Sequence, residues 1–170
     1  MFFELIAAIA AAFAGAGLVL LLNMLTRGAL PKWAMPVAAG AAMLGYAVWS
    51  EYTWYARTAG DLPAGVEVTT ANEVTAFWRP WTYMAPLVDR FAALDTASIQ
   101  TNDAVPDQRI ADLYFFGRWS PQRALPVVID CSRGLVAPLP SATLDEAGAA
   151  TDAAWGAPAD GDATLDLACT

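Results

Sequence analysis

The chain has 170 residues, enough for about one ordinary domain, and 57% of them are hydrophobic, with a mean hydropathy of +0.41. Its net charge of −8 argues against nucleic-acid binding, because phosphate recognition needs lysines and arginines gathered on one face. Histidine is absent, which removes the commonest general base and the commonest metal ligand. We therefore expect neither a nucleic-acid partner nor a cofactor.

The N-terminal segment predicts a membrane-spanning helix. Residues 5–22 carry no charged side chain, and about 20 apolar residues cross a hydrocarbon core of roughly 30 Å. A cleavable signal peptide is the alternative. It needs a basic flank before the apolar run, whereas this flank offers Glu4. We expect an uncleaved transmembrane helix.

A second apolar segment, Trp33 to Trp49, follows a short turn-forming stretch. Two helices joined so briefly must be antiparallel neighbours, so residues 1–57 predict a transmembrane helical hairpin. Small residues four apart let helix backbones approach closely in lipid, either within the hairpin or against a partner's helices. Both segments contain such pairs: Ala8/Ala12, Ala11/Gly15, Ala38/Ala42 and Ala41/Gly45.

The basic residues predict the orientation of the hairpin. Arg27 and Lys32 flank the short loop, whereas no basic residue precedes the first helix and only Arg57 closely follows the second. By the positive-inside rule, the loop faces the cytoplasm and both termini face the periplasm of a bacterial inner membrane. Aromatic residues are then expected at the headgroup level of the lipid bilayer, and the candidates are Trp33, Trp49, Tyr52, Trp54 and Tyr55.

Glu4 and Glu51 form a candidate pair of acids. An antiparallel hairpin places the start of the first helix beside the end of the second, so both carboxylates lie at one membrane face. Close carboxylates raise one pKa of the pair and could hold a proton or a cation. The alternative is two acids at the water boundary, with Glu51 near Arg57.

Five motifs lie within about the first seventy residues: Pro31-Lys32-Trp33, Ala38-Ala39-Gly40, Met43-Leu44-Gly45-Tyr46, Glu51-Tyr52-Thr53-Trp54 and Leu62-Pro63-Ala64-Gly65-Val66-Glu67-Val68. In these motifs the chain resembles a group of small, uncharacterised proteobacterial inner-membrane proteins with two spans and a periplasmic domain. The resemblance implies that topology and no activity.

Residues 62–140 predict a small α+β periplasmic domain. Residues 66–80 alternate and suggest one or two strands, while apolar residues at helical spacing indicate a helix in 86–95. Residues 97–102 suggest another strand. Residues 109–119 and 124–132 predict a hairpin whose four-residue turn is Ser120–Arg123, and residues 134–139 predict an edge strand ended by Pro138.

Residues 141–170 form an acidic Ala-rich tail without a basic residue, a composition typical of disorder. Its expected apolar anchors are Trp155, Leu165 and Leu167. Cys131 and Cys169 are the only cysteines, and on the exported side they most simply form one disulfide that tethers the tail. A free pair and a bond to another subunit are the alternatives.

Residues 77–84, FWRPWTYM, gather the partner-contact candidates Phe77, Trp78, Arg79, Trp81 and Tyr83. Three interpretations are open for this segment. It could form the domain's own core, with Arg79 stacked on an indole. It could lie at the headgroup level, or it could be a hot spot for a partner protein.

The sequence lacks a nucleophile motif, a phosphate-binding loop and metal-ligand spacing. We therefore expect neither catalysis nor a small-molecule substrate. The expected function is that of a non-catalytic accessory subunit of a larger integral membrane complex, for example a respiratory one. The alternative is a free-standing assembly or envelope-maintenance factor that binds its client transiently.

Overall fold

The computed structural model describes residues 2–170. It divides into two compact units, the first ending at Trp54 and the second spanning Tyr55–Thr170. We call the second one the sheet unit.

Two long helices begin the chain: α1, Phe2–Leu25, and α2, Ala34–Gly60. Of the described residues, only α1 is long and apolar enough to cross a membrane by length and composition. The second predicted span therefore forms as a helix, but the structure does not show it as a transmembrane one. Its glycines, proline and aromatic residues lower the hydropathy that its alanines and valines supply.

Within the first unit, α1 packs closely on α2 at Gly15. A Cβ atom on Gly15 would lie 2.7 Å from the carbonyl oxygen of Ala38 and 2.8 Å from the Cβ of Ala42. Further along, Ser50 Oγ donates a hydrogen bond of 3.2 Å to Glu4 Oε1. Because residue numbers fall in one helix as they rise in the other, the two helices are antiparallel there. The Ala38/Ala42 pair thus serves the contact between α1 and α2.

An antiparallel sheet of six strands forms the sheet unit. Its order is β1-β2-β4-β5-β6, and β2 and β3 pair with successive parts of β4. Most neighbours in the sheet are therefore also neighbours in sequence, as short connections require. The strands are β1 (Val66–Val74), β2 (Leu87–Asp95), β3 (Gln100–Asn102), β4 (Val105–Gly117), β5 (Ser120–Asp130) and β6 (Leu135–Pro138).

The helix predicted in residues 86–95 is wrong, because this segment forms strand β2. The strand pairs with β1 on one side and β4 on the other, and four successive residues, 91–94, are buried. A strand covered on both faces reads as a continuous apolar run instead of an alternating one. Such a run also places apolar residues at helical spacing, so periodicity cannot separate the two structures.

The predicted hairpin of residues 109–132 is confirmed as β4 and β5. Its turn is Arg118–Trp119, because Gly117 pairs with Ser120 across the hairpin, and the residues predicted as the turn instead begin β5. The predicted edge strand is confirmed as β6, which ends at Pro138.

Residues 141–170, whose composition is typical of disorder, form three short elements: β7 (Thr143–Leu144), β8 (Ala150–Asp152) and α3 (Thr164–Cys169). The segment around β7 and β8 packs on one face of the sheet, where Val128, Ala137 and Ala150 are buried together. Helix α3 packs on the opposite face, which we call face A. There Ala168 joins a buried cluster with Leu94, Ala111, Val127 and Ile129. The tail is ordered in the structure because its alanines serve as core residues.

Candidate functional site

Cys131 and Cys169 form a disulfide, with their Cα atoms 5.8 Å apart and a separation of 38 positions in sequence. The bond joins the residue after β5 to the last residue of α3. It confirms the intramolecular pairing expected from the cysteine count. Because such bonds persist in oxidising environments, it also indicates an oxidising compartment for the sheet unit.

Asp130 organises the turn that follows β5. It is 4% exposed, and its Oδ1 accepts hydrogen bonds from Ser132 Oγ at 2.7 Å and from the Arg133 amide at 2.9 Å. Its Oδ2 lies 2.8 Å from both Nε and Nη2 of Arg133. Burial by itself would raise the pKa of Asp130, but these hydrogen bonds and the charge of Arg133 lower it to about 2.

The same turn holds the tail at a second point. The Arg133 guanidinium lies over the ring of Trp155, 4.6 Å from its centroid, and Trp155 packs against the buried cluster that contains Val128. The end of α3 is held separately by Arg109, whose Nη1 donates to the carbonyl oxygens of Ala168 and Thr170. The predicted anchors Leu165 and Leu167 pack against the cluster on face A.

Residues 77–84, which we call the aromatic loop, lie between β1 and β2. Arg79 is partly buried, but the large side chains of the loop are 46–92% exposed, namely those of Phe77, Trp78, Trp81, Tyr83 and Met84. This exposure contradicts the interpretation of the segment as the domain's own core. The interpretations that place it at a bilayer surface or on a partner protein stay open.

Thr82 holds the aromatic loop in a defined shape. It is 2% exposed, and its Oγ1 donates to the carbonyl oxygen of Arg79 at 2.7 Å and accepts from the amide of Ala76 at 2.9 Å. A single turn of 3₁₀ helix, Pro80–Tyr83, contains this threonine. These hydrogen bonds thus fix the backbone of the loop that carries the exposed aromatic rings.

The predicted acid pair involves a residue that sequence reasoning missed. Glu4 accepts its hydrogen bond from Ser50, which is 3% exposed and immediately precedes Glu51 in α2. The structure therefore brings Glu4 to the position in α2 adjacent to Glu51. No pattern in the sequence singles out Ser50, because a serine in an apolar helix has many possible partners.

The expected interface residues fall into two groups. Trp33 and Trp49 are exposed, whereas Tyr52, Trp54 and Tyr55 are partly buried. Within the sheet unit, the ring of Tyr55 meets the edge of Phe91 with centroids 5.4 Å apart, and Phe91 stacks on Phe116 at 4.6 Å. Tyr55 thus contributes to the aromatic packing of the sheet unit.

The sheet unit also carries an open groove of about 800 Å³ on face A, which sequence reasoning missed. Its lining residues come from β1, β2, β4 and β5, with Ala159 at one side. The strand register sets Thr70, Ala92, Phe115 and Arg123 in one row across the sheet, and Asn72 and Arg90 in the next. No motif could have revealed the site, because these residues are far apart in sequence.

Within residues 2–170, no group of three or more Cys, Asp or Glu side chains is placed to hold a metal ion. No family model, curated protein or solved structure matches this chain. Its function is therefore inferred from its own surfaces and contacts.

Proposed function

We propose that the protein is a non-catalytic accessory subunit of a larger bacterial inner-membrane complex, and that the aromatic loop is its main contact with the partner. The exposed rings of that loop carry the proposal. Trp, Tyr and Arg dominate the hot spots of protein interfaces, and a contiguous exposed apolar surface on a soluble domain marks an interaction site. The bracing by Thr82 supports binding, because little conformational entropy is then lost on contact.

Membrane attachment is supported by α1, whose 24 residues include a single charged one, Glu4. We further propose that α2 is the second leg of a membrane hairpin. Its close contact with α1 at Gly15 is the backbone approach that small residues permit in lipid. Its exposed apolar side chains support a lipid or helical neighbour, and they include Met35, Val37, Met43, Leu44 and Val48.

The proposed orientation has both termini in the periplasm and the loop at Arg27 and Lys32 in the cytoplasm. The disulfide supports a periplasmic sheet unit, since that compartment is oxidising. The basic residues at the loop support the cytoplasmic side for it. Trp33 and Trp49 would then mark the two headgroup levels.

Photo-crosslinking tests the proposed partner contact. A photo-crosslinking amino acid replaces Trp78 in the full chain, and the cells are irradiated before their membranes are solubilised in mild detergent. We expect a crosslink to one protein, and a native gel band far heavier than the 18.0 kDa chain. Trp78→Ala with Trp81→Ala should release the chain from that band, because two anchor rings are lost.

Trp119→Ala is the matched control, since it removes an indole that is 59% exposed but lies in the turn between β4 and β5. It should leave the heavy band intact. Recovery of the monomer alone, or crosslinks to lipid alone, would overturn the proposal. A partner recovered far below equal stoichiometry would instead support the transient assembly factor.

A further inference from the structure

We propose that the groove on face A binds an anionic amphiphile with a single acyl chain, the chemistry shared by a fatty acid and a lysophospholipid. The site is independent of the aromatic loop and goes beyond the role of an accessory subunit. Its volume lies in the range of small-molecule sites, about 300–1,000 Å³.

The groove exists because α3 covers only part of face A. Leu94 and Val127 lie under the helix and are buried. Further along β4 on the same face, Phe115 is 41% exposed although its strand has neighbours on both sides. Gly117 follows it on this face, and the space that a Cβ atom would take there is filled by Ser120 Oγ and bordered by Arg90 Cγ. An exposed phenylalanine in the middle of a sheet is apolar surface that a ligand could cover.

Apolar side chains line the part of the groove's floor that leads towards α3. Ala92, Phe115 and Leu125 line it, and Leu125 continues into the buried cluster beneath α3. An acyl chain lying on this floor would extend the hydrophobic contact that α3 begins, and each methylene that it buries would add to the affinity.

The charges of the groove select an anion. Arg90 and Arg123 are its charged lining residues, and among the described residues its lining includes no acid. This is notable in a chain with 17 acidic and 9 basic residues. Within residues 2–170, the side chain of Arg123 forms neither an ion pair nor a hydrogen bond. Arg90 approaches only its neighbour Asp89, at 3.6 Å and with a side chain 67% exposed, a contact worth little.

The two arginines can share one head group. They project from β2 and β5, which flank β4 in the sheet, and from successive rows of it, so their backbones are about 12 Å apart on the diagonal. Long guanidinium side chains can converge on an anion from both sides of that gap, and guanidinium binds carboxylate and phosphate with paired hydrogen bonds. Thr70 and Asn72 line the same end and could bind further oxygens.

Photoaffinity labelling of the full chain, reconstituted in phosphatidylcholine vesicles, tests the proposal. The probe is a myristate analogue with a diazirine in its chain, and labelled peptides are mapped by mass spectrometry. We expect labelling in β4 and β5 around Phe115. Unlabelled myristate and dodecyl phosphate should both compete, and the stronger competitor identifies the preferred head group. Inorganic phosphate and neutral dodecyl maltoside should not compete.

Charge variants give the decisive comparison. Arg90→Gln with Arg123→Gln should reduce labelling about tenfold or more, because two charge-assisted contacts are lost. Arg90→Lys with Arg123→Lys should retain most of it. The matched control, Arg27→Gln with Lys32→Gln, removes the same charge outside the sheet unit and should label like the wild type. Resistance to pulse proteolysis equal to that of the wild type verifies that each variant keeps its folded sheet unit.

Equal competition by dodecyl maltoside would overturn the proposal, because the arginines would then select nothing. Labelling that maps outside the groove, or that survives removal of both arginines, would overturn it too.

Discussion

The helices α1 and α2 and the sheet unit bury apolar residues to very different extents. Helix α1 has no buried residue, and in α2 only the polar Ser50 is buried. In the sheet unit, Leu94, Val128 and Ile129 are all less than 2% exposed. The sheet unit thus encloses its own core, whereas the two helices leave many of their large apolar side chains exposed. The apolar residues of the chain therefore form a core in the sheet unit and an exposed apolar surface on the helices.

The sheet unit and the helices are also held together by different kinds of contact. The turn at residues 130–134 holds the tail through a disulfide and through the stacking of Arg133 on Trp155. The first unit has the hydrogen bond between Ser50 and Glu4 and the close approach at Gly15. Changes to the turn at residues 130–134 and to the exposed apolar surface of α1 should therefore act on different parts of the molecule.

Removing the disulfide should have the largest effect. Cys131→Ser with Cys169→Ser should lower the free energy of unfolding of the sheet unit by about 3–4 kcal/mol, because the unfolded chain regains the entropy of a long loop. Pulse proteolysis of the full chain in urea measures this loss. The wild type in reductant is the control and should match the double variant. Unchanged resistance in both samples would show that the tail is held without the bond.

A charge in the middle of α1 should act on the first unit alone. Phe13→Arg places a guanidinium at a position that is 74% exposed, and arginine at the centre of a spanning helix costs about 2.5–3.5 kcal/mol of insertion free energy. The fraction of the chain that resists carbonate extraction from membranes should fall. Trp119→Arg, on the surface of the sheet unit, is the control and should be retained. Full retention of the Phe13→Arg chain would argue that α1 does not lie in hydrocarbon.

Acid should weaken the sheet unit through Asp130. Its pKa is about 2 in the folded protein against 3.8 for an ordinary aspartate, so the folded state favours the ionised carboxylate. This stabilisation is complete above pH 3.8 and is lost as the pH falls to about 2, a change of about 2 kcal/mol. Urea unfolding of the sheet unit between pH 5 and pH 2 measures the loss.

Asp130→Asn should remove much of the pH dependence in this window while lowering stability at pH 5. The control is Asp103→Asn, which removes an exposed carboxylate and should leave the acid transition in place. An unchanged acid transition in the Asp130→Asn variant would assign the pH dependence to other groups.

Local signals in the sequence predicted a good part of the fold. An uncharged run of apolar residues predicted α1, alternation predicted β1, and the pattern around residues 109–132 predicted the hairpin. The cysteine pair could be assigned by counting. Each of these elements depends on residues close in sequence, or on the presence of two cysteines in the chain. Each could therefore be predicted without knowledge of the tertiary packing.

Where local patterns in the sequence were ambiguous, burial in the tertiary structure determined which structure a segment adopts. Strand β2 carries apolar residues at helical spacing, and only its position between β1 and β4 explains the run. The tail looks polar and disordered, and only the burial of Ala150 and Ala168 makes it part of the core. Small side chains add little to hydropathy, yet they fill space where backbones come close.

By itself, then, the sequence determined an apolar first helix, strands in a domain after Leu62, and one cysteine pair. The tertiary structure decided that the aromatic loop is exposed on a base held by Thr82, and that Arg90 and Arg123 flank the exposed ring of Phe115. The reason is geometric. A binding surface joins residues from several strands, and their distances follow from strand register and from where α3 stops covering the sheet.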